Sequence, residues 1–233
     1  AEISKYDSVI VGDIPAHERN YIIKYCFGQN IRTYSVPKIS DILLRSSVEL
    51  NLFDSPLLLS RNNQGLQIEQ EIMKRIIDIV GSLIGIVITI PIFLIVGICI
   101  KMTDGGPVIY QQTRLTKNGK KFQIYKFRTM VQNAEADGKA RLASEGDPRI
   151  LPIGRILRAT RLDELPQIYN ILKGDMSIVG PRPERPELAA ELEKEIPEFS
   201  FRLQVKAGLT GYAQVYGKYN TTPYDKLKLD LTY

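Results

Sequence analysis

The residues best suited to chemistry lie in Arg155-Ile156-Leu157-Arg158-Ala159-Thr160-Arg161-Leu162-Asp163-Glu164-Leu165-Pro166 and, shortly after it, Gly180-Pro181-Arg182-Pro183. Arg155, Arg158 and Arg161 recur every third residue, a spacing that sets them on one face of a helix or helical turn. Guanidinium groups clamp phosphate oxygens with paired donors, so Arg158, Arg161 and Arg182 gathered at one point would make a phosphate site. Asp163 and Glu164 follow at once. A carboxylate at a helix start is commonly a cap that suits the positive end of the dipole. Capping needs no basic cluster beside it, however, and an ionised carboxylate inside a phosphate site points to phosphoryl transfer.

Several elements must hold these residues. Leu162, Leu165, Ile168, Tyr169 and Leu172 recur at helical spacing, so a helix is predicted from about Asp163, with Pro166 in its first turn and Lys173-Gly174 as its stop. Upstream, Asp104-Gly105-Gly106-Pro107 reads as a turn, Val108 to Gln112 as a strand, Lys117-Asn118-Gly119-Lys120 as a hairpin turn and Phe122 to Met130 as the returning strand. Its alternation puts Lys126 and Arg128 on a polar face, which taken alone would be a solvated face. Beyond Gln132 the chain is polar and is expected to be mobile through Gly146.

The run from Ile79 to Ile100 is 22 residues without a charge. As a helix it would reach roughly 33 Å, enough to cross a bilayer core. Lys74-Arg75 precede it and Lys101 follows, and basic flanks on both sides suit a segment that enters and leaves by the cytoplasmic face. Pro91, near the middle, removes one backbone bond and kinks the helix. A Pro-broken re-entrant helix over about residues 74–101 is therefore expected, ahead of a straight span or a buried core helix. Its position behind a folded-looking segment excludes a signal peptide.

That preceding segment reads as a strand (Ser8 to Gly12), a helix (Pro15 to about Gly28, with Ile22, Ile23, Cys26 and Phe27 on its inner side) and a second strand (Ile31 to Val36). This is a β-α-β fragment of parallel type. It lacks a G-x-G-x-x-G run, so a dinucleotide site is not supported. The polar, turn-prone Ser60 to Gly65 marks a boundary, giving regions 1–65 and 66–233.

Composition narrows the chemistry further. A hydrophobic content of 44% supports a packed core, and a net charge of +5 with a pI near 9.1 fits an anionic partner: small phosphates, a membrane surface or nucleic acid. There is no Trp, and no basic block is interleaved with stacking rings, so nucleic acid is not expected. Cys26 and Cys99 stand far apart, which argues against a disulfide framework or thiolate zinc and for a reducing compartment. His17 is the only histidine, so a Ser-His-Asp triad and a histidine metal cluster are unsupported.

The run from Lys74 to Tyr233 resembles the bacterial sugar transferase family, the monotopic polyprenyl-phosphate hexose-1-phosphate transferases. The resemblance rests on several blocks in order: the Pro-containing apolar segment, Gly106-Pro107-Val108, Tyr125-Lys126-Phe127-Arg128-Thr129-Met130, Leu162-Asp163-Glu164-Leu165-Pro166-Gln167, Leu172-Lys173-Gly174-Asp175-Met176-Ser177, Val179-Gly180-Pro181-Arg182-Pro183 and Gly208-Leu209-Thr210-Gly211-Tyr212-Ala213-Gln214-Val215. It implies an α+β fold, a small monotopic membrane catalytic domain preceded by a partial Rossmann-like α/β fragment. It also implies transfer of a hexose 1-phosphate from a UDP-sugar to undecaprenyl phosphate on the cytoplasmic side of the bacterial inner membrane. UMP would be released, and exopolysaccharide or capsule assembly would begin. On this resemblance Asp163 is the nucleophile, Glu164 holds Mg²⁺, and Arg158 and Arg182 bind phosphate, with Lys126 and Arg128, in the family's basic strand motif, counted among the phosphate-binding residues. A homodimer is compatible with it. The competing expectation is a membrane-anchored module that holds a nucleotide sugar or anionic lipid without turnover.

Overall fold

The computed structural model describes residues 3–45, 47–52, 55–59, 68–132, 134, 147–218 and 220–233. The chain divides into two compact units, Ala1–Asn62 and Asn63–Tyr233. In the first, β1 (Ser8–Val11) pairs in parallel with β2 (Arg32–Ser35), Ser8 opposite Arg32, and α1 (Ala16–Gly28) joins them, as the sequence pattern predicts. Cys26 is fully buried, but Phe27 is 88% exposed and does not belong to the inner side of α1. One residue is a rotation of about 100°, which carries position 27 off the face that buries Cys26. Helix α2 (Ile39–Leu44) and an antiparallel hairpin of β3 (Val48–Leu52) and β4 (Ser55–Leu59) complete this unit. The junction read at 60–65 lies outside the described residues, as does 135–146 of the stretch expected to be mobile.

The second unit is built on a hairpin. Strand β5 (Ile109–Leu115) pairs antiparallel with β6 (Lys121–Phe127), and Asn118 and Gly119 take φ of 59° and 71° in the predicted turn. The two faces of β6 feed two cores. Phe122 and Ile124 pack with Ile171, Met176 and Ala207, while Phe127, on the opposite face, packs with Val96, Ile100 and Leu157. Lys126 lies on the face of Phe122 and Ile124, so this is the inward face and not a solvated one. The strand runs out of a core into a cavity, and alternation alone does not show where the apolar lining stops.

Helix α3 (Ile68–Asp104) runs for 37 residues with Pro91 inside it. The helix is continuous, so the expected break at Pro91 is not seen. In the turn before it, the Thr89 hydroxyl donates to the Gly85 carbonyl (2.7 Å) and weakly to that of Ile86 (3.3 Å). The most apolar window of α3 has a mean hydropathy of 3.0 and is only 17% buried, which makes the helix long and apolar enough to cross a membrane. Ile76, Val80, Leu83, Val87, Ile90 and Leu94 form an exposed stripe.

Both ends of α3 are fastened to the unit it belongs to. Lys74 donates to the Val179 carbonyl (2.8 Å), and Arg75 donates to the carbonyls of Ile171 and Leu172 (2.7 Å each). Buried Asp78 accepts from the Ser177 hydroxyl (3.0 Å) and the Ile178 amide (2.9 Å). At the far end Asp104 forms a two-pronged ion pair with Arg128.

Helix α4 (Pro152–Ala159) lies on the second core through Leu157. Helix α5 (Gln167–Lys173) ends at Gly174, whose φ of 97° makes it the predicted stop. Asn170 locks α5 to the outer edge of β6, accepting from the Tyr125 amide (3.0 Å) and donating to the Gln123 carbonyl (2.7 Å). Strand β7 (Ser177–Val179) pairs in parallel with β8 (Gly208–Thr210), and α6 (Pro186–Glu195), α7 (Tyr212–Tyr216) and α8 (Pro223–Thr232) complete the unit. A Cβ on Gly208 would stand 2.1 Å from the Gly180 nitrogen, so these two backbones touch where only glycine fits. The Gly180-Pro181-Arg182-Pro183 and Gly208 to Val215 blocks are thus one structural piece that aims Arg182.

Candidate active site

Asp163 and Glu164 sit on a tight 3₁₀ turn, Leu162–Glu164, not on the helix predicted from Asp163, which begins only at Gln167. Arg161 precedes the turn at φ 60°, a left-handed conformation that costs an L-residue about 1 kcal/mol. It therefore leaves the face that Arg155 and Arg158 define on α4, and Arg155 points to solvent. That reversal folds the chain back so that Leu162 and Leu165 pack on the second core while both carboxylates are buried. Adjacent residues on such a turn diverge by about 120°, so the two acids face different neighbours.

The turn opens on a cavity of about 550 Å³ whose lining includes Lys126, Arg128, Arg158, Arg161, Asp163, Glu164 and Arg182. Every polar residue assigned to the site from sequence is brought here; Pro91 is not in its lining. Lys126 Nζ and Arg182 Nη2 each donate to Glu164 Oε1 at 2.8 Å. Arg158 Nε donates to the Thr129 hydroxyl at 2.9 Å, which leaves the rest of its guanidinium beside the turn. Arg128 differs. It is buried, and besides Asp104 it donates to the carbonyls of Pro107 (2.6 Å) and Met130 (3.3 Å), so its guanidinium is engaged in holding the end of α3.

Burial pushes the Asp163 carboxyl above its ordinary pKa; Lys126 opposes this, the charge of Glu164 adds to it, and Arg158 opposes it more weakly. At Glu164 burial acts in the same direction, but Arg182 and Lys126 outweigh it and hold the carboxyl at about 2. Burial lowers the Lys126 ammonium, against the pull of Glu164. One atom stands out: Asp163 Oδ1 is buried and makes no hydrogen bond. Buried acceptors are nearly always satisfied, so an unmet one beside cations calls for an explanation.

The sequence reading missed Arg114 and Arg185, which also line the cavity. Arg114 donates to the Pro183 carbonyl (3.1 Å) and to Gln112 Oε1 (2.7 Å), steadying the turn that carries Arg182. The available signals were the alternation of β5 and the three-residue step from Arg182 to Arg185. Among the described residues no group of three or more His, Cys, Asp or Glu side chains could hold a metal, so any cation here relies on the two carboxylates and on substrate oxygens.

Comparison with known proteins bears on the unit that carries this cavity. The family described as "Bacterial sugar transferase" matches residues 69–233. The chain is similar to a UDP-N-acetylgalactosamine-undecaprenyl-phosphate N-acetylgalactosaminephosphotransferase of Aeromonas hydrophila, 36% identical over 217 residues, covering 91% of this chain and 49% of that protein. It is 48% identical over 131 residues to a putative undecaprenyl-phosphate N-acetylgalactosaminyl 1-phosphate transferase of Bacillus subtilis, covering 56% of this chain and 73% of that protein. An undecaprenyl-phosphate galactose phosphotransferase of Salmonella typhimurium is 38% identical over 206 residues, 82% of this chain and 42% of its own length. The chain thus spans about half the length of the Aeromonas and Salmonella relatives. With the family matched from residue 69 to residue 233, all but the first few residues of the unit that carries the cavity, the chain belongs to the bacterial sugar transferase family.

Proposed function

We propose that this chain transfers a sugar 1-phosphate from a UDP-sugar to undecaprenyl phosphate by double displacement on Asp163. The observation that carries this reading is the unpartnered, buried Oδ1 of Asp163 within a ring of cations. A carboxylate oxygen attacks the β-phosphorus, the bond from that phosphorus to the bridging oxygen of UMP breaks, and UMP leaves with the electron pair. An oxygen of undecaprenyl phosphate then attacks the same phosphorus, the acyl-phosphate bond breaks, and Asp163 is regenerated as a carboxylate. No histidine or other general base is needed, because a carboxylate attacks as the anion, and the charges of Lys126 and Arg158 act against the upward push of burial on Asp163. Arg158, Arg182 and Lys126 stabilise charge on the transferred group and on departing UMP.

Mg²⁺ suits this pair of acids. Lys126 and Arg182 both donate to Oε1 of Glu164, so the other carboxylate oxygen of Glu164 would be the group to hold the ion. When bound, it would neutralise the diphosphate and favour departure of UMP.

In the same reading the continuous α3 lies along the cytoplasmic face of a bacterial membrane with both of its ends on one side and its exposed apolar stripe in the lipid, and the cavity faces the cytoplasm; the product starts exopolysaccharide or capsule assembly. The support is mechanical: a straight span would carry the Asp104–Arg128 pair to the side of the bilayer opposite the Lys74 and Arg75 contacts, yet all of these partners belong to one body. Cysteines placed near Glu69 and near Asp104, with the Asp104–Arg128 pair left intact, should label from the same side of intact vesicles; labelling from opposite sides means a span. The chemistry is tested by incubating the chain with UDP-sugar alone and measuring intact mass. A hexose-phosphate adduct on the peptide containing Asp163 is the expected result, and its absence during active UMP release would refute the covalent step.

A further inference from the structure

We propose that the nucleoside of the donor sits in a second chamber, on the far side of Glu164 and Arg182 from the catalytic cavity, with Gln214 accepting a hydrogen bond from it; this rests on the transferase reading above. The chamber has a volume of about 990 Å³ and shares Arg161, Glu164 and Arg182 with the catalytic cavity. These three side chains therefore form a wall between two spaces. A diphosphate bound along that wall has two ends. With the β-phosphorus presented to Asp163, the α-phosphate and what it carries can extend into the second space.

Besides the charged Glu184, Lys218, Lys226 and Asp230, the chamber has a wall that fits an organic body. Leu188, Leu192 and Phe199 supply apolar surface, and Arg202, buried beside them, is matched by Asp230 at 2.7 Å and donates to the Arg182 carbonyl at 2.8 Å. A nucleobase buries two flat apolar faces against such walls, whereas a hexose presents hydroxyls in every direction. A prenyl chain is the poorer match, because none of the chamber's described lining comes from α3.

Gln214 supplies the polar contact. It belongs to the Gly208 to Val215 block, which the transfer chemistry leaves unused, and it lines the chamber from α7. Its Nε2 donates to the Leu209 carbonyl (3.1 Å), which fixes the amide, and its Oε1 is buried with no donor. An imide N–H of a pyrimidine or a ribose hydroxyl would satisfy that oxygen.

The test is calorimetric titration of UMP into the whole chain in detergent, for the wild type, Gln214→Ala and Leu188→Trp. Leu188 is 40% exposed, so the larger side chain fills the chamber without entering a core. Each variant should weaken UMP binding by about tenfold, the size of one hydrogen bond or one lost contact surface, and raise KM for UDP-sugar in proportion. Unchanged UMP affinity in both variants overturns the assignment. So does a shifted preference among UDP-hexoses with unaltered UMP binding, which gives the chamber to the hexose. A chain that loses UMP affinity in both variants but never releases UMP from any UDP-sugar keeps the chamber and sinks the transferase reading instead.

Discussion

Lys126 and Arg128 stand two residues apart on one face of the β6 line, yet they serve charge clusters of opposite character. Arg128 is matched by Asp104, and its remaining donors go to the Pro107 and Met130 carbonyls. That cluster is closed. Lys126 meets Glu164, but so does Arg182, with Arg158 and Arg161 lining the same cavity and Asp163 Oδ1 left without a donor. That cluster is open, with more cations than carboxylates, and on the proposed reading an arriving anion completes it. A charge pair that satisfies itself holds an element in place, whereas one left incomplete is fitted to bind and react.

Substitutions in the two clusters should separate these roles. Asp163→Asn keeps the shape and removes the nucleophile, so UMP release should fall by more than roughly a thousandfold while UDP-sugar binding survives. Retained turnover would end the covalent mechanism and leave the binding-module reading. Glu164→Gln should lower the rate by about a hundredfold and abolish its response to Mg²⁺, measured by titrating metal against UMP formation. A metal curve like that of the wild type removes Glu164 as the ligand. The smallest effect on chemistry should come from Arg128→Met. Its melting midpoint falls because Asp104 is stranded, the Asp104→Asn/Arg128→Met double variant recovers part of the loss, and turnover per folded molecule changes little. Loss of turnover as severe as that of Glu164→Gln, in a fully folded Arg128→Met chain, would erase the distinction drawn between the clusters.

Much of this arrangement was legible in the sequence where the physics is local. The β5–β6 turn follows from Asn118-Gly119, the end of α5 from Gly174, and the first unit's β-α-β order from short-range apolar patterning. The gathering of Arg158, Arg161 and Arg182 about Asp163 and Glu164 was legible from their types and spacing. What stayed hidden depends on partners distant in the chain. Arg75 reads as a membrane flank but is bonded to carbonyls nearly a hundred residues away, at Ile171 and Leu172. Arg128 reads like Lys126 until Asp104 is seen to claim it. The left-handed Arg161 gives no warning either, since a three-residue period fits one long helical face as well as a face that ends two residues early.

The double fastening of α3 has a physical corollary for the proposed setting. A free transmembrane helix answers a thicker or thinner bilayer by tilting. Here any tilt would drag Asp78 away from Ser177 and Asp104 away from Arg128, so the whole body must float higher or lower instead. Lipid chain length would then set how far the acceptor's phosphate has to rise to reach the reacting phosphorus, making hydrocarbon thickness itself a throttle on the second half of the cycle.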